Sequence, residues 1–288
     1  MRHITDINFW RKFSPDLHID DSKFLDGQSV LDISDNAIEG LKDRIISEGY
    51  FQLPPQQLLL PLDKMAEVIT RLHKENIPIT FAFIYDEFWI LYLRYHKLLC
   101  GILGSEYTRR PLFLAWRIDP LNNDAGFSPH RDGDCNEHGL DCDGLPLRLS
   151  LWIALTDATA LNGCISIVPA NLDPTYNTPD LDSWEFALQD IRCLPCNAGG
   201  AIAWNFATIH WGGRSNPRAE HPRISVAFEF QTNKVDLFQS QISDPLSIPT
   251  FETRIKYCCR QVIEFSARNP LSTDDLEFYK SYCGGDAD

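Results

Sequence analysis

The stretch Arg148–Leu155, RLSLWIAL, puts Leu149, Leu151, Ile153 and Leu155 on one side and Arg148, Ser150, Trp152 and Ala154 on the other. A period of two marks a strand whose two faces meet different surroundings. Arg223–Phe230, RISVAFEF, repeats the pattern with Ile224, Val226, Phe228 and Phe230 on one face. Between these strands, Asn162-Gly163 offers a hairpin turn into the short apolar run CISIVP, and Gly199-Gly200 opens AIAWNFATIHW. Several short strands separated by turns predict a mainly β core with flanking helices, folded as a double-stranded β-helix, the cupin-like jelly roll.

Working outward, that core is expected over 111–235. Residues 1–110 read as mostly helical, because Leu62, Met65, Ala66, Ile69 and Leu72 fall at the three-and-four spacing of one helix face. Residues 236–288 hold a helix at TRIKYCCRQVIEF and a frayed tail, SYCGGDAD. No repeat, low-complexity tract or Gly/Ser-rich linker divides the chain, so residues 1–288 are expected to form a single domain.

At 288 residues and 44% hydrophobic content, the chain is long enough to bury a substantial core. Its 26 basic and 40 acidic residues leave a net charge of −14, which repels nucleic acid phosphates and anionic membrane surfaces. A small-molecule substrate is the better expectation, with no nucleic acid and no membrane partner; nothing in the sequence sets an oligomeric state. The opening MRHITDINFWRKF lacks the apolar segment of a signal peptide, and no run is long enough to span a bilayer. Nine cysteines without small-scaffold spacing read as reduced thiols in a cytoplasmic protein. Cys193-Leu194-Pro195-Cys196 has the gap of a zinc pair, but no second pair completes a tetrahedral site, so ordinary thiols are expected.

Three stretches place a histidine two residues before a carboxylate: His18/Asp20, His73/Glu75 and His130/Asp132. On a helix, His73 and Glu75 point to nearly opposite sides and cannot share an ion. His18 and Asp20 lie in a polar stretch and are expected as surface or capping residues. In FSPHRDGD, by contrast, an extended backbone puts His130 and Asp132 side by side and turns Arg131 away. Taken alone the pair reads equally as a surface ion pair. His210, ending another expected strand, offers a third ligand. Two histidines and one carboxylate with open positions opposite are the arrangement of non-heme Fe(II) oxygenases. Arg223 and Ser225 then share the face away from Ile224, and a guanidinium fork beside a hydroxyl suits a carboxylate.

In this order, FSPHRD, LWIALTDATALNGCISIVPA, GGAIAWNFATIHWGG and RISVAFEF, the chain resembles the phytanoyl-CoA dioxygenase family of Fe(II)- and 2-oxoglutarate-dependent oxygenases. The resemblance covers roughly 110 to 232, and its most specific part is WIALTDATALNGC followed by IVP. It implies that His130, Asp132 and His210 bind Fe(II), and that Arg223, helped by Ser225, holds the distal carboxylate of 2-oxoglutarate, with O2 as the second cosubstrate. It also implies a cosubstrate contact for Trp152, whose residue-level reading is core packing. The loop SNPRAEHP lengthens the spacing from His210 to Arg223 and makes Arg214 a rival carboxylate binder. Arg117, in LAWRIDP, is read either as a cosubstrate or substrate contact or as a solvated charge. The acidic run 134–144 is read as a solvated loop or as a lid favouring a cationic substrate. Because Asp132 fills the position that related halogenases leave to chloride, hydroxylation is expected over halogenation, while desaturation or ring chemistry would use the same ligands. The competing readings are a non-catalytic jelly-roll binding protein and a cupin-like metalloenzyme that does not use 2-oxoglutarate.

Overall fold

The alternation at Arg148–Leu155 and Arg223–Phe230 is resolved in an unusual direction: the apolar faces of these strands turn outward, against helices, and the mixed faces line the interior between two sheets. The computed structural model describes residues 3–133, 139–178, 185–236, 244–267 and 271–283. Among them run α1 (Ile7–Phe13), α2 (Ser22–Asp26), α3 (Asp35–Glu48), β1 (Tyr50–Leu53), α4 (Leu62–Lys74), α5 (Asp86–Leu93), α6 (His96–Leu103) and β2 (Thr108–Ile118). The chain continues through β3 (Arg148–Ala154), β4 (Ile165–Ile167), β5 (Arg192–Leu194), β6 (Ala201–Asn205), β7 (His210–Gly212), β8 (Arg223–Gln231), α7 (Phe251–Glu264) and α8 (Thr273–Tyr282).

The strands form a jelly roll. A five-stranded antiparallel sheet has the order β1-β6-β3-β8-β2, and a three-stranded sheet the order β5-β4-β7. A single bridge between His130 and His210 extends the smaller sheet by one more segment. Register fixes the faces: Ser150 lies opposite Trp204 and Glu229, and Ala154 opposite Ser225, so Ser150, Trp152, Ala154, Ser225 and Trp204 share the inner side. Trp152, Ile165, Ile167, Ile202 and Trp204 form a small core between the sheets.

The larger core lies outside the roll. Leu149, Leu151, Ile153, Val226 and Phe228 pack against the helical layer, where Phe83 meets Phe113 at 4.4 Å between ring centroids and Tyr92 meets Phe228 at 5.1 Å. The stripe expected at Leu62–Leu72 is the buried face of α4, with Met65, Ile69 and Leu72 fully enclosed. Burial of each such side chain contributes about 1.5–3 kcal/mol. No helix among the described residues is long and apolar enough to cross a membrane.

Several local expectations are corrected. Asn162-Gly163 does not close a hairpin between β3 and β4, because those strands belong to different sheets; the chain crosses over there. Gly163 has a φ of 81°, and an added Cβ would meet Gly213 O at 2.3 Å, so the turn serves close packing against the β7 end. A strand, β1, interrupts the helical first third and pairs with β6. His18 is held by a buried partner, whereas Asp20 remains exposed and sits as a cap at the start of α7. His18 Nδ1 lies 2.6 Å from the buried Glu87, while Asp20 accepts from Phe251 N at 3.1 Å and lies 3.4 Å from Arg254. Cys196 is buried and Cys193 exposed, both as free thiols.

Candidate metal centre and cosubstrate pocket

His130 and Asp132 reach the interior from a segment that is extended without being a regular strand. His130 exchanges two backbone hydrogen bonds with His210 (3.0 and 2.9 Å), and Asp132 N donates to Phe206 O at 3.2 Å. The histidine of this segment and the histidine of β7 therefore sit directly opposite one another, with ring centroids 4.3 Å apart. Arg131 between them reaches to Asp173 at 2.8 Å, Thr175 at 2.7 Å and the carbonyl of Ala207, clamping the segment in place.

The three side chains converge. Asp132 Oδ1 lies 3.5 Å from His130 Nε2 and 3.5 Å from His210 Nε2, and the three ligand atoms fall within 4.8 Å of one another. Donors at these separations fit around one ion with bonds of about 2.1 Å. Each imidazole donates its Nδ1–H to a backbone carbonyl, His130 to Ser128 at 2.8 Å and His210 to Thr208 at 3.0 Å, a geometry that leaves both Nε2 lone pairs facing the common point. The other oxygen of the carboxylate, Oδ2, accepts from Ser150 Oγ at 2.6 Å and Trp204 Nε1 at 2.8 Å.

The electrostatics suit a ligand set. Burial works to raise the Asp132 carboxyl, but His210, His130 and the Ser150 hydroxyl outweigh it and hold the group below the usual carboxylate range. Burial pushes His210 down to about 4, against the pull of Asp132, so its imidazole is neutral at neutral pH.

A cavity of about 380 Å³ opens onto this cluster. One end holds Arg223, which is 1% exposed and whose Nε and Nη1 have no hydrogen-bond partner among the described residues. Ser225 Oγ and Trp152 Nε1 are likewise buried without partners among the described residues, and the Arg223 guanidinium lies 5.7 Å from the Trp152 ring centre. Burial lowers Arg223 to about 10, which still leaves it charged at neutral pH. An uncompensated buried guanidinium costs several kcal/mol. Its neighbours, a hydroxyl and an indole N–H, are additional donors, so this end of the cavity is suited to an anion with several acceptor oxygens. Two glycines let the segments beside Arg223 approach closely: a Cβ on Gly126 would meet Gly212 Cα at 2.5 Å, and one on Gly212 would approach Arg223 Nη2 at 3.3 Å.

Two of the arginines considered from sequence stand elsewhere. Arg117 lies opposite Ile224 in register, on the outer face of β2, and pairs with Asp119 at 2.9 Å. Its neighbour Trp116 takes the inward position, so Arg117 is not part of this cavity. Arg214 is exposed and donates to Asn123 O at 2.8 Å, outside the cavity as well. In the acidic run, residues 134–138 lie outside the described residues; Asp141 pairs with Lys234 at 2.6 Å and accepts from Asp143 N and Leu145 N in a local turn. Sequence reasoning missed Ser150, Trp204 and the Gly126–Gly212 approach. Ser150 shares the alternating face of Trp152, but the long-range register that brings it and Trp204 to Asp132 has no local signal.

Residues 110–220 match the model of the family described as phytanoyl-CoA dioxygenase (PhyH). Among solved structures, the non-heme alpha ketoglutarate dependent epimerase SnoN from nogalamycin biosynthesis superposes with a TM-score of 0.50 at 18% identity, over 75% of this chain and 95% of that one. The carbocyclase SnoK from the same biosynthesis gives 0.50 at 19% identity over 72% and 87%. The non-heme monooxygenase ThoJ gives 0.50 at 13% identity over 83% and 99%. At these identities the likeness concerns the fold. The match to the phytanoyl-CoA dioxygenase (PhyH) model falls on the jelly-roll core, the part of this chain that carries the three converging side chains.

Proposed function

We propose that this protein is an Fe(II)- and 2-oxoglutarate-dependent dioxygenase that hydroxylates an unactivated carbon of a small molecule, with release of succinate and carbon dioxide. The observation that carries this reading is the pairing, in one cavity, of the His130–Asp132–His210 donors with the buried Arg223, whose Nε and Nη1 are partnerless among the described residues. A metalloenzyme without a dicarboxylate cosubstrate has no use for that guanidinium, and a binding protein has no use for three convergent ligand atoms.

In this reading His130, Asp132 and His210 would hold Fe(II) through Nε2, Oδ1 and Nε2. Fe(II), 2-oxoglutarate and O2 together supply an oxidant strong enough for a C–H bond. Arg223 would bind the distal carboxylate of 2-oxoglutarate, with Ser225 Oγ and Trp152 Nε1 as further donors to the same group, and that carboxylate would neutralise the buried charge. Ser150 and Trp204 fix the carboxylate of Asp132 so that one oxygen faces the metal. Since Asp132 occupies the carboxylate position, halide has no place among the protein ligands, which favours hydroxylation. Trp116, Phe127 and Phe265 wall the cavity with rings, which exclude water and accommodate an apolar substrate.

The test is succinate release from 2-oxoglutarate in air. Protein supplied with Fe(II) is expected to form succinate slowly alone and faster with substrate, and to stop when the metal is chelated. Well-folded protein that releases no succinate with any of a panel of amines, amino acids and lipid-like acids contradicts the proposal.

A further inference from the structure

Beside the metal-centre cavity lies a larger chamber of about 720 Å³, which runs along β2 and is closed by the turn after α4, the segment 124–127 and the end of α7. Leu114, Trp116, Gly126, Phe127 and Phe265 border both spaces. The rings of Trp116 and Phe127 meet edge to face at 4.3 Å, and Phe127 lies 5.5 Å from His130. Trp116 and Phe127 thus form part of the partition between the chamber and the candidate metal ligands.

β2 ends the five-stranded sheet, so one side of its backbone has no strand beside it among the described residues. Two independent contacts tell which groups face that side. Phe113 N donates to the Gln261 side chain at 3.4 Å, away from β8. Ile224, opposite Arg117, turns its own backbone to the other neighbour: its carbonyl accepts from Leu155 N and Thr156 N, and its N–H donates to Thr156 Oγ1. Antiparallel alternation then directs the N–H and C=O of Phe113, Ala115 and Arg117 outward and those of Leu114 and Trp116 toward β8. A side chain meets the donor at Phe113. At Ala115 and Arg117 the outward groups have no partner among the described residues, and both residues line the larger chamber. Ala115 is only 9% exposed, so the chamber is the space its outward groups have for a partner.

A sheet edge with unmet N–H and C=O groups pairs with another extended chain. The outward groups of Ala115 and Arg117 repeat at roughly 6.6 Å, two strand residues, which is the repeat of an extended peptide and not of a hydrocarbon. Ile77, Ile79 and Val262 give the chamber apolar walls, and Asn76 and Thr80 add uncharged polar groups.

We infer that the substrate is peptidic: an extended chain of at least two amide units lies along β2 as an added strand, exchanges hydrogen bonds with Ala115 and Arg117, and passes one group by Trp116 and Phe127 to the metal centre. Delivery to the metal rests on the proposed oxygenase reading, but binding along β2 does not. The probe is a pool of N-acetylated, C-amidated tetrapeptides varied at the two central positions, added to the 15N-labelled full chain without metal. The expected result is that the Ala115 and Arg117 amide resonances shift and their hydrogen exchange slows, and that the same pool N-methylated on its amides leaves them unmoved. Ala115→Pro removes only an N–H that β8 does not use, a change edge strands tolerate. It is expected to weaken the pool's binding about 10-fold, the equivalent of one hydrogen bond. Should that variant not fold, Ala125→Trp, from an exposed position on the chamber wall, is expected to abolish the shifts. Resonances that stay in place with the peptide pool, or move equally with the N-methylated pool, overturn the inference. Succinate release measured in parallel reports on the oxygenase reading separately.

Discussion

Asp132 uses its two oxygens differently: Oδ1 faces both imidazoles and Oδ2 accepts from Ser150 and Trp204. Groups that orient a metal ligand typically affect metal affinity by 10–100-fold. Trp204→Phe keeps the ring and removes the donor, and is expected to weaken Fe(II) binding about 10-fold with the circular dichroism spectrum unchanged. At the other end of the cavity, Arg223→Ala removes a charge whose partner would be left buried, a loss of about 2–5 kcal/mol. The KM for 2-oxoglutarate, read by succinate release, should rise by roughly 30-fold or more, while Arg214→Ala leaves it unchanged. Much of this scale is legible in the chain. The spacing of His130 and Asp132, and the shared face of Arg223 and Ser225, follow from the two-residue period of extended backbone. The hydrogen bonds to Asp132 Oδ2 do not, because they depend on the β3–β6 register across a gap of more than fifty residues.

Among the elements, Gly126 and Gly212 let the segments beside Arg223 approach closely. Gly126→Ala would place Cβ 2.5 Å from Gly212 Cα, and backbone on both sides cannot yield as a side chain could. Overpacking of this kind costs about 1–3 kcal/mol, so urea unfolding should show a loss in that range together with a raised KM for 2-oxoglutarate. Alternation read from sequence assigned the faces of β3 and β8, but gave no sign of which face turned to the helices. It also left Arg117 open, although Trp116 and Arg117 must point to opposite sides; only the register with Ile224 and Ser225 tells which one is inward. The turn at Asn162-Gly163 shows the same limit. Its local chemistry is that of a tight turn, and whether such a turn joins neighbours or crosses between sheets is decided by the packing of β4 between β5 and β7.

Over the whole molecule, the helices are part of the jelly roll's stability, since the outer face of the large sheet carries Leu149, Leu151, Ile153, Val226 and Phe228. A buried polar network ties that layer to the chain's first residues. Asp86 accepts from Asp20 N and Asp21 N at 3.0 Å each and pairs with Arg254 at 2.6 Å, and Arg254 also donates to Ile84 O and Pro249 O. Asp86→Ala leaves the Arg254 charge buried without its main partner and is expected to lower stability to urea by about 3–5 kcal/mol, with the KM for 2-oxoglutarate unaffected. This network joins positions 20, 86 and 254, and no local pattern marks it; His18 looks like a surface residue until the helices are docked.

The central claim is that one ferrous ion and 2-oxoglutarate share the cavity between His130, Asp132, His210 and Arg223. Anaerobic titration of the protein with Fe(II) and 2-oxoglutarate measures it most directly. The account predicts a weak visible charge-transfer absorption from the chelated keto acid, lost in His210→Ala. A folded protein that gives no such absorption, or one whose absorption survives His210→Ala, would contradict it.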